Sequence, residues 1–270
     1  MTDRLLVALD IDGTILDIDG EISQATHQQV KRLRDAGHEV MLATGRSARD
    51  MLPIRERLSL TSRYLVAANG AMVLEEEPSA DQGYAPKWVE TFDPTDALMR
   101  MRSVLEGARF AVEGSDGIYR FCGRFPEGSF EAQGIEVPFE QLMAEPVTRL
   151  VVISADQSME EFIDRVKGSG LHSVSYSVGW SAWLDIAPNG VNKATALERV
   201  REQLNIPREN VVVAGDGRND IEMLSWARDG GGRSFAMGSS PQEVIEAASH
   251  LTLDFKHDGL AHALANVGYD

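Results

Sequence analysis

LLVALDIDGT, residues 5–14, joins an apolar run to a pair of carboxylates, and the fold is read from that junction. Leu5 to Leu9 carry no charge and read as a buried strand, of the kind found in the middle of a parallel sheet. Asp10, Asp12, Gly13 and Thr14 end it abruptly. Ionised groups beside a core cost free energy unless they gain partners or a metal. In open α/β sheets the carboxyl ends of the strands are also where ligands bind. A solvated turn is one alternative reading of D-x-D-G-T, and a calcium loop is another. The calcium loop fails because Ile15 stands where the sharp turn needs glycine, and the preceding residues read as strand rather than helix.

The same pattern recurs outward. Ser23 is a cap for a helix carrying Val30, Leu33 and Ala36, stopped by Gly37. EVMLA at 39–43 is a second buried strand, ending at Thr44-Gly45-Arg46. Ser47 opens another helix, which Pro53 is expected to kink or to start. YLVAA at 64–68 ends at Asn69-Gly70. From Pro188 the alternation resumes, with a helix carrying Ala194, Leu197, Val200 and Leu204. VVVAG at 211–215 then ends in Asp216-Gly217-Arg218-Asn219-Asp220. A helix through Leu224, the strand SFAMG, a helix from Pro241 and the strand LTLD follow. Strands alternating with helices predict an α/β fold with a doubly wound parallel sheet.

Between these halves the pattern changes. WVETF, RFAVE, GIYRFC, TRLVVIS, HSVSYSV and AWLDIA are strand candidates, with helices near Thr95 and Ser158. Strands grouped around few helices suggest an inserted α+β module. The expected division is a main domain of residues 1–83 and 188–270, with the insert at 84–187.

Composition narrows the function. The chain has 270 residues, 43% of them apolar and 25% charged, as in ordinary globular proteins. A net charge of −16 argues against a nucleic-acid or anionic-membrane partner. The one cysteine, Cys122, excludes an intramolecular disulfide. No apolar run approaches membrane-spanning length and the N-terminus lacks a basic and apolar leader, so the expected compartment is the cytoplasm.

DIDGT, TGR, GVNK and GDGRND thus gather polar groups where strands end. Together they meet the needs of phosphoryl transfer: a nucleophile, cations around the transferring group and a proton donor for the leaving oxygen. Asp10 suits a carboxylate nucleophile that forms an aspartyl phosphate, and Asp12 lies within reach of the leaving oxygen. Asp216 and Asp220 join Asp10 as hard oxygen ligands for Mg²⁺. Lys193 offers a point charge and Thr44 a hydroxyl for the phosphoryl oxygens.

These motifs resemble the haloacid dehalogenase (HAD) superfamily, in particular its Cof-type phosphatases with a large α/β cap. LDIDGT resembles the first motif, LATGR the second, GVNKATAL the third and GDGRNDIEML the fourth. AANGA at 67–71 and the C-terminal FAMGSSPQEVIEAASHLTLDFKHDGL resemble further family segments. The resemblance implies a Rossmann-like core domain with an inserted cap that selects the leaving group. It implies Asp10 as nucleophile, Asp12 as general acid and base, and Thr44 and Lys193 as phosphoryl ligands. It implies Mg²⁺ held by the Asp10 carboxylate, the Asp12 backbone carbonyl and Asp216, with Asn219 and Asp220 positioning phosphate, metal waters or Lys193. Gly45, Arg46 and Asn69 fall where the family meets substrate or cap. Ala194 and Ser239 depart from the family's usual Gly and Asn.

Asp12 separates reaction classes, since carbon–halogen-cleaving relatives lack an aspartate there and P-type ATPases carry Thr. The expected function is a Mg²⁺-dependent phosphatase acting on a small phosphorylated metabolite, with sugar phosphates the default. A phosphomutase-like transferase would use the same residues. A non-catalytic binding module would be favoured by a missing nucleophile, acid, lysine or metal ligand, and none is missing. Arg120, Arg124, Arg149, Trp180 and Trp183 are candidates for contact with the leaving group.

Overall fold

In a computed structural model of the chain, the described residues are 4–80, 82–123, 125, 134–154, 158–171, 174–178 and 183–268. The opening apolar run forms β1 (Leu6–Leu9), buried throughout. Ser23 then caps α1 (Gln24–Asp35) by accepting from the Thr26 amide at 3.1 Å, ahead of β2 (Glu39–Leu42). Ser47 accepts from the Asp50 amide at 3.2 Å and so starts α2 (Ala48–Arg57). Pro53 lies inside this helix and does not begin it; the cap, not the proline, sets its start.

Three strands follow: β3 (Tyr64–Ala67), β4 (Met72–Glu76) and β5 (Tyr84–Val89). The insert contributes α3 (Thr95–Val104), β6 (Arg109–Gly114), β7 (Tyr119–Cys122), β8 (Ile135–Glu136) and β9 (Val147–Ile153). It ends with α4 (Met159–Gly168), β10 (Val174–Val178) and β11 (Trp183–Pro188). The chain returns through α5 (Lys193–Leu204), β12 (Val211–Gly215), α6 (Ile221–Asp229) and β13 (Arg233–Ala236). α7 (Gln242–Ala247), β14 (His250–Leu251) and α8 (Gly259–Leu264) complete it. Among the described residues no helix is long and apolar enough to cross a membrane.

The main sheet runs β14-β13-β12-β1-β2, all parallel. Its core joins strand residues such as Leu6, Leu9, Val40 and Val213 to Val30 and Leu33 of α1, Leu197 and Val200 of α5, and Leu224 of α6. Burying a side chain of this size contributes roughly 1.5–3 kcal/mol. Register places the site: Leu9 pairs with Ala214 on one side and Leu42 on the other. The residues after each, Asp10, Gly215 and Ala43, therefore emerge side by side. The Asp10 amide donates to the Ala214 carbonyl at 3.0 Å and the Ala43 amide to the Leu9 carbonyl at 2.9 Å.

β3, β4 and β5 form an antiparallel sheet that meets the main one through a parallel bridge between Ala43 and Val66. Tyr84 is buried in the main core, and Trp88 stacks on Tyr64 with centroids 5.9 Å apart. A division at residue 84 would cut β5 from its partner β4.

The insert sheet runs β10-β11-β9-β6-β7-β8. Alternation gives it two unlike faces. Phe110, Val112, Leu150, Val152, Leu184 and Ile186 pack with Leu98 and Met101 of α3 and Phe162 of α4. The intervening residues include the apolar group Ala111, Tyr119, Val151 and Ile153, and also Glu113, Arg149 and Asp185.

Candidate active site

Lys193 owes its place to a helix start. The Asn192 side chain accepts from the Thr195 amide at 3.0 Å, and the Thr195 hydroxyl accepts from the Asn192 amide at 3.1 Å. This reciprocal cap begins α5 at Lys193, whose side chain is fully buried. Its Nζ donates to Asp10 Oδ1 and to Asp220 Oδ1, each at 2.6 Å. The other Asp220 oxygen accepts from the Asp216 and Gly217 amides at 3.1 and 3.0 Å, which folds the loop after β12 back on itself.

Two glycines make room for these carboxylates. A Cβ on Gly215 would stand 2.4 Å from the Asp220 carboxyl carbon. A Cβ on Gly13, where φ is +74°, would stand 2.3 Å from an Asp216 oxygen. The Thr14 hydroxyl donates to Asp216 at 3.4 Å. As a result Asp10, Asp216 and Asp220 each present an oxygen within 4.8 Å of the others, all three residues buried.

Burial pushes the Asp10 carboxyl well above the usual carboxylate range; Lys193 pulls it down, and Asp220, Asp216 and Asp12 push it further up. Burial, with Asp220 beside it, raises Asp216 to about 7. For Lys193 burial favours the neutral amine, but Asp10 and Asp220 outweigh it and hold the ammonium above the ordinary lysine range. Three carboxylates thus press on one ammonium. An all-oxygen, buried set with excess negative charge fits a hard divalent cation. Asp10 and Asp216 have oxygens to offer it, whereas both Asp220 oxygens are engaged by Lys193 and the loop amides.

The Asp12 carboxylate lies apart from this cluster. It is 60% exposed and paired with Arg46, whose Nη2 and Nε donate at 2.7 and 3.0 Å. Thr44 is fully buried at the end of the β2 segment. Its hydroxyl accepts from the Arg46 amide at 3.1 Å and its carbonyl from the Asn69 amide at 3.0 Å. The Asn69 side chain accepts from Asn219 Nδ2 at 3.0 Å. The structure therefore brings Asp10, Lys193, Asp216 and Asp220 into one cluster, and links Asn69 to Asn219 beside Gly45.

The insert reaches this loop through residues of unequal legibility in sequence. Arg149 donates to Asp185, to the Tyr119 hydroxyl and to the Gly45 carbonyl, so its guanidinium is committed to protein partners. Asp185 does not stand out in the sequence, where its one signal is an acid between Leu184 and Ile186 in an otherwise apolar strand. Arg120 pairs with Asp116 at 2.9 Å in its own hairpin, and Trp183 lies against the small cluster of Ala111, Tyr119, Val151 and Ile153. Arg124 and Trp180 lie outside the described residues.

Comparison with known proteins gives three kinds of match. The family model for haloacid dehalogenase-like hydrolases matches residues 7–264. The chain is 27% identical to 5-amino-6-(5-phospho-D-ribitylamino)uracil phosphatase YitU of Bacillus subtilis, an alignment covering 97% of each protein. It is 26% identical to the HMP-PP phosphatase of Cronobacter sakazakii, covering 91% of this chain and 88% of that one. Among solved structures, the HAD subclass IIB sugar phosphatase BT4131 superposes with a TM-score of 0.81 at 20% identity, covering 98% of this chain and 99% of that one. This last likeness shows a common fold.

Proposed function

The chain belongs to the haloacid dehalogenase-like hydrolase family and is a phosphatase, and on that premise we propose how its residues divide the reaction. Asp10 is the nucleophile and Asp12 the general acid and base. Lys193 donates to Asp10 Oδ1 at 2.6 Å and so orients the carboxylate that attacks phosphorus. As that bond forms, the bond from phosphorus to the leaving oxygen breaks, and Asp12 gives the oxygen its proton. Water then attacks the aspartyl phosphate and returns a proton to Asp12, releasing phosphate and restoring Asp10. Thr44 and Lys193 hold phosphoryl oxygens, while Gly45, Arg46, Asn69 and Asn219 border the substrate.

Mg²⁺, bound by the Asp10 and Asp216 carboxylates and the Asp12 carbonyl, would offset charge on the phosphoryl oxygens. Asp220 serves Lys193 and the loop amides. The substrate class we assign is a phosphomonoester of a small metabolite carrying a sugar or sugar-alcohol chain. Support comes from a relative of similar length named for a substrate with a phosphoribityl group. The cytoplasm is the compartment such a substrate implies.

What carries this reading is a contrast within one loop. Asp10 is 4% exposed and clamped by an ammonium, while the Asp12 carboxylate, two residues on, is 60% exposed. The test is phosphate release from a panel of phosphorylated metabolites, with and without Mg²⁺, for wild type and Asp10→Asn. Metal-dependent release that falls by more than about a thousand-fold in the variant is the expected result. A variant that keeps more than a few per cent of the wild-type rate would reject Asp10 as nucleophile. No release from any compound, together with phosphoryl transfer that added sugar bisphosphate stimulates, would point to a mutase.

A further inference from the structure

The insert sheet turns one buried ion pair toward the main domain. Arg149 on β9 and Asp185 on β11 sit on paired strands and are both buried. The pair is bidentate, with Arg149 Nε on Asp185 Oδ1 and Nη2 on Oδ2, each at 2.6 Å. Both partners also reach across the domain boundary. Arg149 Nη1 donates to the Gly45 carbonyl at 2.5 Å, and Asp185 Oδ2 accepts from Asn69 Nδ2 at 2.8 Å.

What they grip is the junction of the catalytic loops. Asn69 has a left-handed backbone, φ 52°, and its amide donates to the Thr44 carbonyl at 3.0 Å. The amide of Ala68 donates to the Arg46 carbonyl at 2.9 Å. Asn69 Oδ1 in turn accepts from Asn219, in the loop that holds Asp216 and Asp220. Gly45 lies flat against both amides: a Cβ there would be 3.0 Å from Asn69 Oδ1 and 3.4 Å from Asn219 Nδ2. An unbroken run of hydrogen bonds therefore links Arg149 and Asp185 to the segments on either side of Asp10.

A buried ion pair is a poor source of stability, because desolvation offsets most of its attraction. What this one supplies is direction. An acceptor on Asn69 Nδ2 and a donor on Oδ1 fix which way the carboxamide points. We propose that Arg149 and Asp185 are positioning residues that set Asn69, Asn219 and the Gly45 carbonyl when the insert is seated, and so couple its seating to the geometry of the phosphoryl-binding loops. This rests on the phosphatase reading above. Because four of the five Arg149 N–H groups are engaged by protein, the pair acts without touching the leaving group. Its loss then appears in kcat, and equally for any phosphomonoester.

The test uses p-nitrophenyl phosphate with Mg²⁺, whose leaving group resembles no metabolite, beside the best compound of the panel. Arg149→Met/Asp185→Leu replaces both charges by apolar groups of similar size, which buried pairs often tolerate. Arg149→Lys keeps the charge but cannot serve Asp185 and Gly45 together. For the double variant we expect kcat lower by about 100-fold on both substrates with KM within about three-fold, the loss typical of misplaced reacting groups. Arg149→Lys should fall between it and wild type, and its own loss of kcat against wild type is readable even if the double variant does not fold. Wild-type kcat in a folded double variant, or in Arg149→Lys alone, would overturn the proposal. So would a loss confined to KM or to the metabolite, which would mark the pair as a leaving-group site. No turnover by wild type on either substrate would instead overturn the phosphatase reading.

Discussion

Two sheets in this molecule bury charge, and they do so on different terms. At the edge of the parallel sheet Asp10, Asp216 and Asp220 crowd one ammonium, Lys193, and burial leaves Asp216 titrating near 7. On the face of the insert sheet Arg149 and Asp185 match one for one, and each gives a further hydrogen bond to the main domain. The first set is incomplete without a cation and a phosphoryl group. The second is complete within the protein. An unbalanced buried cluster is suited to binding and chemistry, whereas a balanced one is suited to holding other groups in place.

Removing the one cation of the crowded set should have the larger effect. Lys193→Met leaves Asp10 and Asp220 facing one another with no counter-charge, and breaking a buried pair in this way typically costs about 3–5 kcal/mol. Urea unfolding without Mg²⁺ should show a loss of that order. A variant as stable as wild type would mean that the carboxylates shed their charge at little cost, and the contrast between the two sheets would weaken.

Glu113 sharpens the comparison from the other side. It is fully buried on the face that carries Arg149 and Asp185, and burial raises it to about 7. Arg149 and Tyr119 draw it down, while Asp185 and Asp50 of α2 push it up. A carboxyl that titrates near 7 when folded and near 4.5 when unfolded favours the folded state fully below pH 4.5, and that contribution is lost as pH rises through 7. The full difference amounts to about 3 kcal/mol at most. Glu113→Gln removes this dependence, so its stability relative to wild type should rise between pH 5 and pH 8 in thermal or urea unfolding. A gap between the two proteins that stays flat over that range would mean that Glu113 is not held neutral, and that the insert face is less balanced than described.

Much of the parallel sheet can be read from local signals. Leu5–Leu9, VMLA and VVVAG are uninterrupted apolar runs, and Ser23 and Ser47 each cap the helix that follows. Local signals fail where pairing is remote. WVETF reads as part of the insert, yet Trp88 and Val89 pair with Val73 and Met72 of the main body. The strand Ile135–Glu136 is too short and too exposed to announce itself. Pro53 misleads because the Ser47 cap lies outside the stretch that the proline governs.

The candidate site divides in the same way. Strand ends mark Asp10, Thr44 and Asp216, and a helix start marks Lys193. Asp185 gives no such mark: a single acid in a strand ordinarily faces water. Its partner Arg149 is 36 positions away and Asn69 is 116, so its role depends on tertiary contacts that no local pattern encodes. The direction of the Asp12 side chain, toward Arg46 and away from the carboxylate cluster, is likewise a property of the folded loop.

The most direct test of the account is to trap the phosphoryl group on the protein. A substrate labelled at phosphorus, selected from the panel, would be turned over briefly with Mg²⁺, quenched in acid and the chain digested and mapped. The account predicts label on the peptide containing Asp10 in wild type and none in Asp10→Asn. Turnover with the label on another residue, or label retained in Asp10→Asn, would contradict it.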